Sequence, residues 1–232
     1  MREIFIEGGL IRKLWTVEIA AYRDHLLRLD PDSRRNRFGG TVSDDMIRRY
    51  AATSDGSDVV LHGFFVDGVL RGVADLRIAG REAEAAFSIE KPWQSHGVGT
   101  ALLERSLLTA RNRGVKRVQV CCLMENRRMQ QLARKFEAEI TFDFGTVIGT
   151  MENPYPTPLS LMQEMVTDGQ SFAAAYVNFQ SRLLRPVGTL AMPLPYRGAV
   201  QVQQLLILVP ELAVVSHACE WRREPYFFDR VP

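Results

Sequence analysis

The stretch from Ile89 to Leu108 constrains this chain more than any other. A strand-like run ends near Glu90, the turn Gln94-Ser95-His96-Gly97-Val98-Gly99-Thr100 follows, and an amphipathic segment to Arg113 places Ala101, Leu103, Leu107 and Ala110 on one helical face. Gly114 then stands where a helix-ending glycine is expected. A glycine-rich strand-to-helix turn exposes backbone N–H groups at the positive end of a helix dipole, which makes an anion site. Glycines 97 and 99 let a pyrophosphate approach the backbone with no Cβ in the way, and Thr100 adds a hydroxyl. The plain alternative is a helix start with two turn glycines. A dinucleotide fingerprint belongs early in a parallel βαβ unit, whereas this turn follows an antiparallel hairpin; a Walker loop needs Gly-Lys-Ser/Thr, which is absent.

The surrounding pattern predicts a mixed α/β sheet. Helical spacing over Ile19 to Leu29 stops at Asp30-Pro31-Asp32-Ser33, where a second helix can start, and an arginine-rich segment follows. Ser43-Asp44-Asp45 caps a further helix to about Ala52, so the opening section reads as mostly helical. The period then changes to that of strands: Val59 to Val66, the turn Asp67-Gly68, Val69 to Ile78, and a third antiparallel strand from Glu82 to Glu90. Arg117 to Leu123 is a strand, Asn126 to Phe136 a helix, and Ile140 to Phe144 with Thr146 to Met151 a last pair of strands. The proline-spaced Asn153-Pro154-Tyr155-Pro156-Thr157-Pro158 reads as a boundary between a domain over 1–152 and an extension over 153–232, helical from 159 to 184 and irregular beyond.

Composition excludes several classes. Across 232 residues, 46% hydrophobic and 24% charged content with a net charge of +2 describes a globular protein with no whole-chain pull on nucleic acid or anionic membrane. Cys121 and Cys122 are adjacent and Cys219 is distant, which makes no disulfide framework and suits the cytoplasm. The first residues lack the apolar core of a signal peptide, and Leu205 to Val215, holding Pro210 and Glu211, is too short to span a bilayer. His25, His62, His96 and His217 show no metal-ligand spacing, so no metal is expected. Apolar residues in the extension make a homodimer an expectation.

The pattern Q-x-x-G-x-G after a strand and before a helix resembles motif A of the GNAT acetyltransferases. The likeness runs from about residue 17 to 152: Ala83-Glu84-Ala85-Ala86-Phe87 is similar to the fourth family strand, Val115 to Leu123 to the fifth, Glu125 to Phe136 to the next helix, and Leu29 to Arg34 to the opening of domains related to protein-lysine acetyltransferases. The resemblance implies a central, mostly antiparallel mixed sheet flanked by helices and acetyl-CoA as the acyl donor. It places the donor against Ser88, Ile89, Gln94, Ser95, His96, Gly97, Val98, Gly99, Thr100 and Asn126, with free backbone N–H groups near Ser88 and Ile89 holding the thioester carbonyl. Asn126 also sits where a helix N-cap belongs.

Transfer to an amine of pKa ~10.4 needs a base to take a proton. The resemblance gives that role to Glu84, with Glu90 in reserve; the plain alternative for Glu84 is a solvated strand carboxylate. Ala133 stands where many relatives carry a tyrosine that protonates the leaving thiolate. Arg34, Arg35 and Arg37 form a basic cluster suited to an acidic substrate surface or the adenosine phosphate, or simply to a solvated helix end. The expected reaction is direct acetyl transfer to a primary amine in a ternary complex, with a protein lysine favoured over a small amine. A non-catalytic acyl-CoA-binding regulatory module is the alternative.

Overall fold

The computed structural model describes residues 8–169. Seven strands form one sheet in the order β1-β2-β3-β4-β5-β7-β6, with β1 Gly9–Lys13, β2 Val59–Val66, β3 Val69–Ala79, β4 Glu82–Ile89, β5 Arg117–Leu123, β6 Glu139–Asp143 and β7 Thr146–Glu152. All neighbours are antiparallel except β4 and β5. Helices α1 Ile19–Arg28, α2 Pro31–Phe38 and α3 Asp44–Ala52 cover one face of the sheet, here called the front. Helices α4 Val98–Asn112 and α5 Arg127–Lys135 pack on the back. This is the mixed α/β architecture that the alternation of periods implies.

Local chemistry sets most boundaries. Asp30 caps α2 by accepting from the Ser33 amide at 3.2 Å, with Pro31 at the first helical position, and Ser43 caps α3 through the Met46 amide at 3.3 Å. Asp67 and Gly68, at φ of 49° and 72°, make the tight turn between β2 and β3. The opening section is not only helical, because β1 adds an edge strand to β2. In its short Gly-Leu-Ile-Arg-Lys run only Gly9 and Arg12 are buried, so no apolar alternation marks it in the sequence.

Behind the sheet, Leu76, Leu103, Val118, Val120 and Met151 are buried in one cluster, each contributing ~1.5–3 kcal/mol of burial. In front, Tyr22, Leu26, Ile47, Leu61 and Val73 form a second. Residues 158–169 are helical and tied to α4: Asn112 donates to the Ser160 carbonyl at 2.8 Å and to Glu164 at 2.7 Å. The rest of the helix expected to 184, the tail beyond it, His217 and Cys219 lie outside the described residues. Among the described residues no helix is long and apolar enough to cross a membrane, and no group of three or more His, Cys, Asp or Glu side chains is placed to hold a metal ion.

Candidate active site

The two parallel strands at the centre of the sheet part company. β4 and β5 pair only through Glu82 with Arg117, Ala83 with Val118 and Glu84 with Gln119. Beyond that rung β4 runs on to Ile89 and β5 to Leu123, so a wedge opens between them. The amide of Glu90 donates to the Arg71 carbonyl on β3 at 2.9 Å. By strand alternation the backbones of Ser88 and Ala86 therefore face β3, and those of Phe87 and Ile89 face the wedge. This corrects the expectation that both the Ser88 and Ile89 amides are free: Ser88 belongs to the β3 ladder, opposite Val73, and it is the amides of Phe87 and Ile89 that turn into the wedge.

The wedge leads to the glycine turn. Ser95 and Gly97 take positive φ, 66° and 82°, which aims the chain into α4, and no side chain caps that helix. The first helical bond runs from the Ala101 amide to the Gly97 carbonyl at 3.1 Å, which leaves the amides of Val98, Gly99 and Thr100 directed outward. The Val98 side chain is buried beside Phe64 and Leu102, so only its amide faces the turn. His96 donates through Nδ1 to the Gln94 carbonyl at 2.7 Å. Gln94 does not aim at the turn. It donates to the Ile89 carbonyl at 2.8 Å and to Ser33 Oγ of α2 at 3.0 Å, and accepts from Arg128 of α5. Lys135 reaches Thr100 Oγ1 at 3.5 Å. Arg128 and Lys135 escaped the sequence reading; their spacing of seven, with Leu132 between them against Gly99, marks one stripe of α5 turned toward the start of α4.

In front of the end of β4, under α1, sits a polar hub. Glu90 accepts from Arg28 Nε at 3.0 Å, Arg71 at 2.8 Å and His25 Nδ1 at 3.3 Å. Burial disfavours the Glu90 charge, but the hydrogen bonds from His25 and Arg71 and the Arg28 charge outweigh it and hold the carboxyl at about 2. A carboxylate so engaged is no base for an amine, and Glu90 is removed from that role. Burial lowers His25, and a neutral ring beside a carboxylate carries its proton on Nδ1, so Nε2 accepts from Ser88 Oγ at 3.0 Å.

Glu84 stands on the front of β4 at the apex of the wedge, exposed and with no hydrogen-bond or ion-pair partner among the described residues. Across the wedge Cys121 is exposed while Cys122 is buried; partial desolvation and then the Glu84 carboxylate push the Cys121 thiol up to about 11, which leaves it a poor nucleophile. Asn126 caps α5, accepting from the Met129 amide at 3.2 Å, as its helix-start reading requires. Ala133 is buried, and a Cβ on Gly149 of β7 would lie 3.0 Å from its own, so α5 and β7 leave no room there for a larger side chain. The arginine cluster separates: Arg37 is buried against Asp75 at 3.0 Å, Arg34 pairs with Asp44 at 2.7 Å, and Arg35 bridges to Glu125 beyond β5 at 3.3 Å.

An uncapped helix start lies at the open end of this splayed parallel pair, and residues 23–137 match the acetyltransferase (GNAT) family. The chain carries a GNAT domain. Its fold is shared by the GNAT domain of S. lividans PAT, 21% identical over 61% of this chain and 89% of that one, with a TM-score of 0.53. It is shared too by a GNAT-family acetyltransferase from Streptococcus pneumoniae, 16% identical over 63% and 99% of the two chains, TM-score 0.51. A third likeness is to the ribosomal-protein-S18-alanine N-acetyltransferase from Escherichia coli, 17% identical over 65% and 97%, TM-score 0.51. No curated protein matches the chain. The GNAT match covers β4, the turn, α4, β5 and α5, which are the elements that build the wedge.

Proposed function

We propose that this GNAT protein is an acetyl-CoA-dependent N-acetyltransferase that passes acetyl directly to a primary amine, a protein lysine in preference to a small amine. The observation that carries the reading is the wedge: a carboxylate, Glu84, without a partner among the described residues at its apex, the amides of Phe87 and Ile89 turned into it along its wall, and uncapped amides of Val98, Gly99 and Thr100 at its open end. These residues fit coenzyme A, because the amides face outward where a pyrophosphate would lie and Arg128 and Lys135 add positive charge beside them. Acetyl-CoA would supply the thioester carbonyl. Glu84 would take the proton of the incoming amine, directly or through water, and the Ile89 amide would donate to the oxygen on which negative charge develops; as the C–N bond forms the C–S bond breaks, and the departing thiolate, of thiol pKa ~8.5, would take its proton from water. Ser95, His96 and Gly97 shape the turn, and the Asn126 side chain borders the arm of the donor. The catalytic part is residues 1–152, with 153–232 as an extension, and the cytoplasm is the compartment the cysteines suit.

The close packing of Ala133 on Gly149 favours one other reading, a protein that binds the donor without transferring it. Calorimetric titration with acetyl-CoA, with NAD as control, followed by an amine panel separates the two. Saturable binding of acetyl-CoA alone, with turnover lost in Glu84→Gln, supports the enzyme; binding without turnover on any amine supports the binding module; no binding by folded protein ends both.

A further inference from the structure

Among the described residues, the half of the sheet beside Glu84 is covered on one side only. On β5, Val118, Val120 and Cys122 are buried; on β7, Val147, Gly149 and Met151 are buried. All of these face α4 and α5 at the back. The alternate residues face front, and none of them is buried: Gln119, Cys121 and Leu123 on β5, and Thr146, Ile148 and Thr150 on β7. Helices α1 to α3 pack over β1 to β4 and meet β5 only through α2, so among the described residues no helix lies over the front of β5, β7 and β6.

Its charge is one-sided. The registers place Glu82 and Glu84 of β4, Glu152 of β7, and Glu139 and Asp143 of β6 on the front face, against one cation of these strands among the described residues, Arg117, which is already paired with Glu82. Arg77, the neighbour of Glu84 on β3, is turned away to Asp75, Tyr50 and Ser54. The whole chain carries a net charge of +2, so this local excess of carboxylates runs against its average. Across three strand spacings of about 4.8 Å and five residues at about 3.3 Å, the face is roughly 14 by 16 Å, larger than a lone amine needs. Its centre offers Ile148 for apolar contact and Gln119, Thr141 and Thr150 for hydrogen bonds.

We propose that this open face is the docking surface for the acceptor, and that the acceptor is an extended, basic polypeptide segment laid across β5, β7 and β6 so that one of its lysines reaches Glu84. The inference rests on the acetyltransferase reading of Glu84 for its chemistry, but the contact stands on charge complementarity and the uncovered face. Carboxylates spread over three strands meet successive side chains of an extended chain, which a compact amine does not present.

The test is binding of two fluorescent decapeptides to the full chain, each with one central lysine, flanked by Lys and Arg in one and by Glu in the other. The basic peptide should bind at least tenfold tighter, lose affinity steeply with salt, and lose at least tenfold in Glu139→Lys/Asp143→Lys, whose melting temperature stays near that of the wild type. Equal binding of the two peptides to the wild type, a result that needs no variant to fold, overturns the proposal. So does displacement by spermine at the concentration at which unlabelled peptide displaces, which would assign the face to small polycations. A parallel acetyl-CoA titration keeps the two readings apart: peptide bound without acetyl-CoA bound leaves the docking face standing and removes the acetyltransferase.

Discussion

Glu84 and Gln119 form the last rung between β4 and β5, and the sheet opens immediately beyond them. The carboxylate is thus placed at the apex of the wedge, beside unpaired backbone on one side and the open front face on the other. An amine arriving from the front meets Glu84 before it meets anything bound between the strands.

Glu84→Gln keeps the shape and the exposed position while removing the base. Steady-state kinetics should show kcat down by about 100-fold or more, with the acetyl-CoA dissociation constant from calorimetry changed by less than about threefold. Unchanged kcat would take Glu84 out of the mechanism.

The two glycines of the turn should respond differently. A Cβ at Gly99 would lie 3.5 Å from Ile89 and Leu132, an ordinary contact, so Gly99→Ala should melt within about 2 °C of the wild type. The added methyl stands where a pyrophosphate must approach, and acetyl-CoA affinity should fall about tenfold, or ~1.4 kcal/mol. Gly97→Ala also forces φ of 82° on an alanine and should cost stability too, on the order of 1 kcal/mol.

Arg128 and Lys135 should contribute to donor affinity through charge. Arg128→Ala and Lys135→Ala are each expected to weaken acetyl-CoA binding by about three- to tenfold, with kcat at saturating donor unchanged, and to flatten the dependence of affinity on salt. Wild-type affinity in both would confine donor binding to the backbone amides.

The Glu90 hub predicts an acid limb in stability. Its carboxyl is held at about 2 in the fold, below its ordinary 4.5, so it contributes stability above 4.5 that is lost as pH falls toward 2. The size is on the order of 3 kcal/mol. His25, lowered by burial, pulls the same way once pH drops below about 6.5, because the unfolded chain then binds the proton first. Urea unfolding from pH 7 to 3 should show Glu90→Gln less stable at pH 7, with the gap to the wild type closing below pH 4. A gap that stays constant would show that the hub carries no such charge.

The strand-to-helix turn, the β2–β3 hairpin, the caps of α2 and α3, and the succession β4, α4, β5, α5, β6, β7 are all written locally, in glycine and proline positions, cap residues and hydrophobic periods of 2 or 3.6. For that reason the motif at Gln94 to Thr100 and the strand glutamate at 84 are legible without coordinates. The edge strand β1 is not, because a five-residue run with two buried positions has no period of its own and is fixed only by pairing with β2. Tertiary structure alone decides that Glu90 is pinned by His25, Arg28 and Arg71 while Glu84 is left unpartnered, since two carboxylates six residues apart on the same stretch look alike until helix α1 and strand β3 close on one of them. It also decides that Ser88 turns to β3 and Ile89 to the wedge, that Arg37 is buried while Arg35 is exposed, and that no helix among the described residues lies over the front of β5, β7 and β6. Periodicity and capping act between neighbours along the chain; partners for charges and uncovered faces arise between residues tens of positions apart, and only packing brings those together.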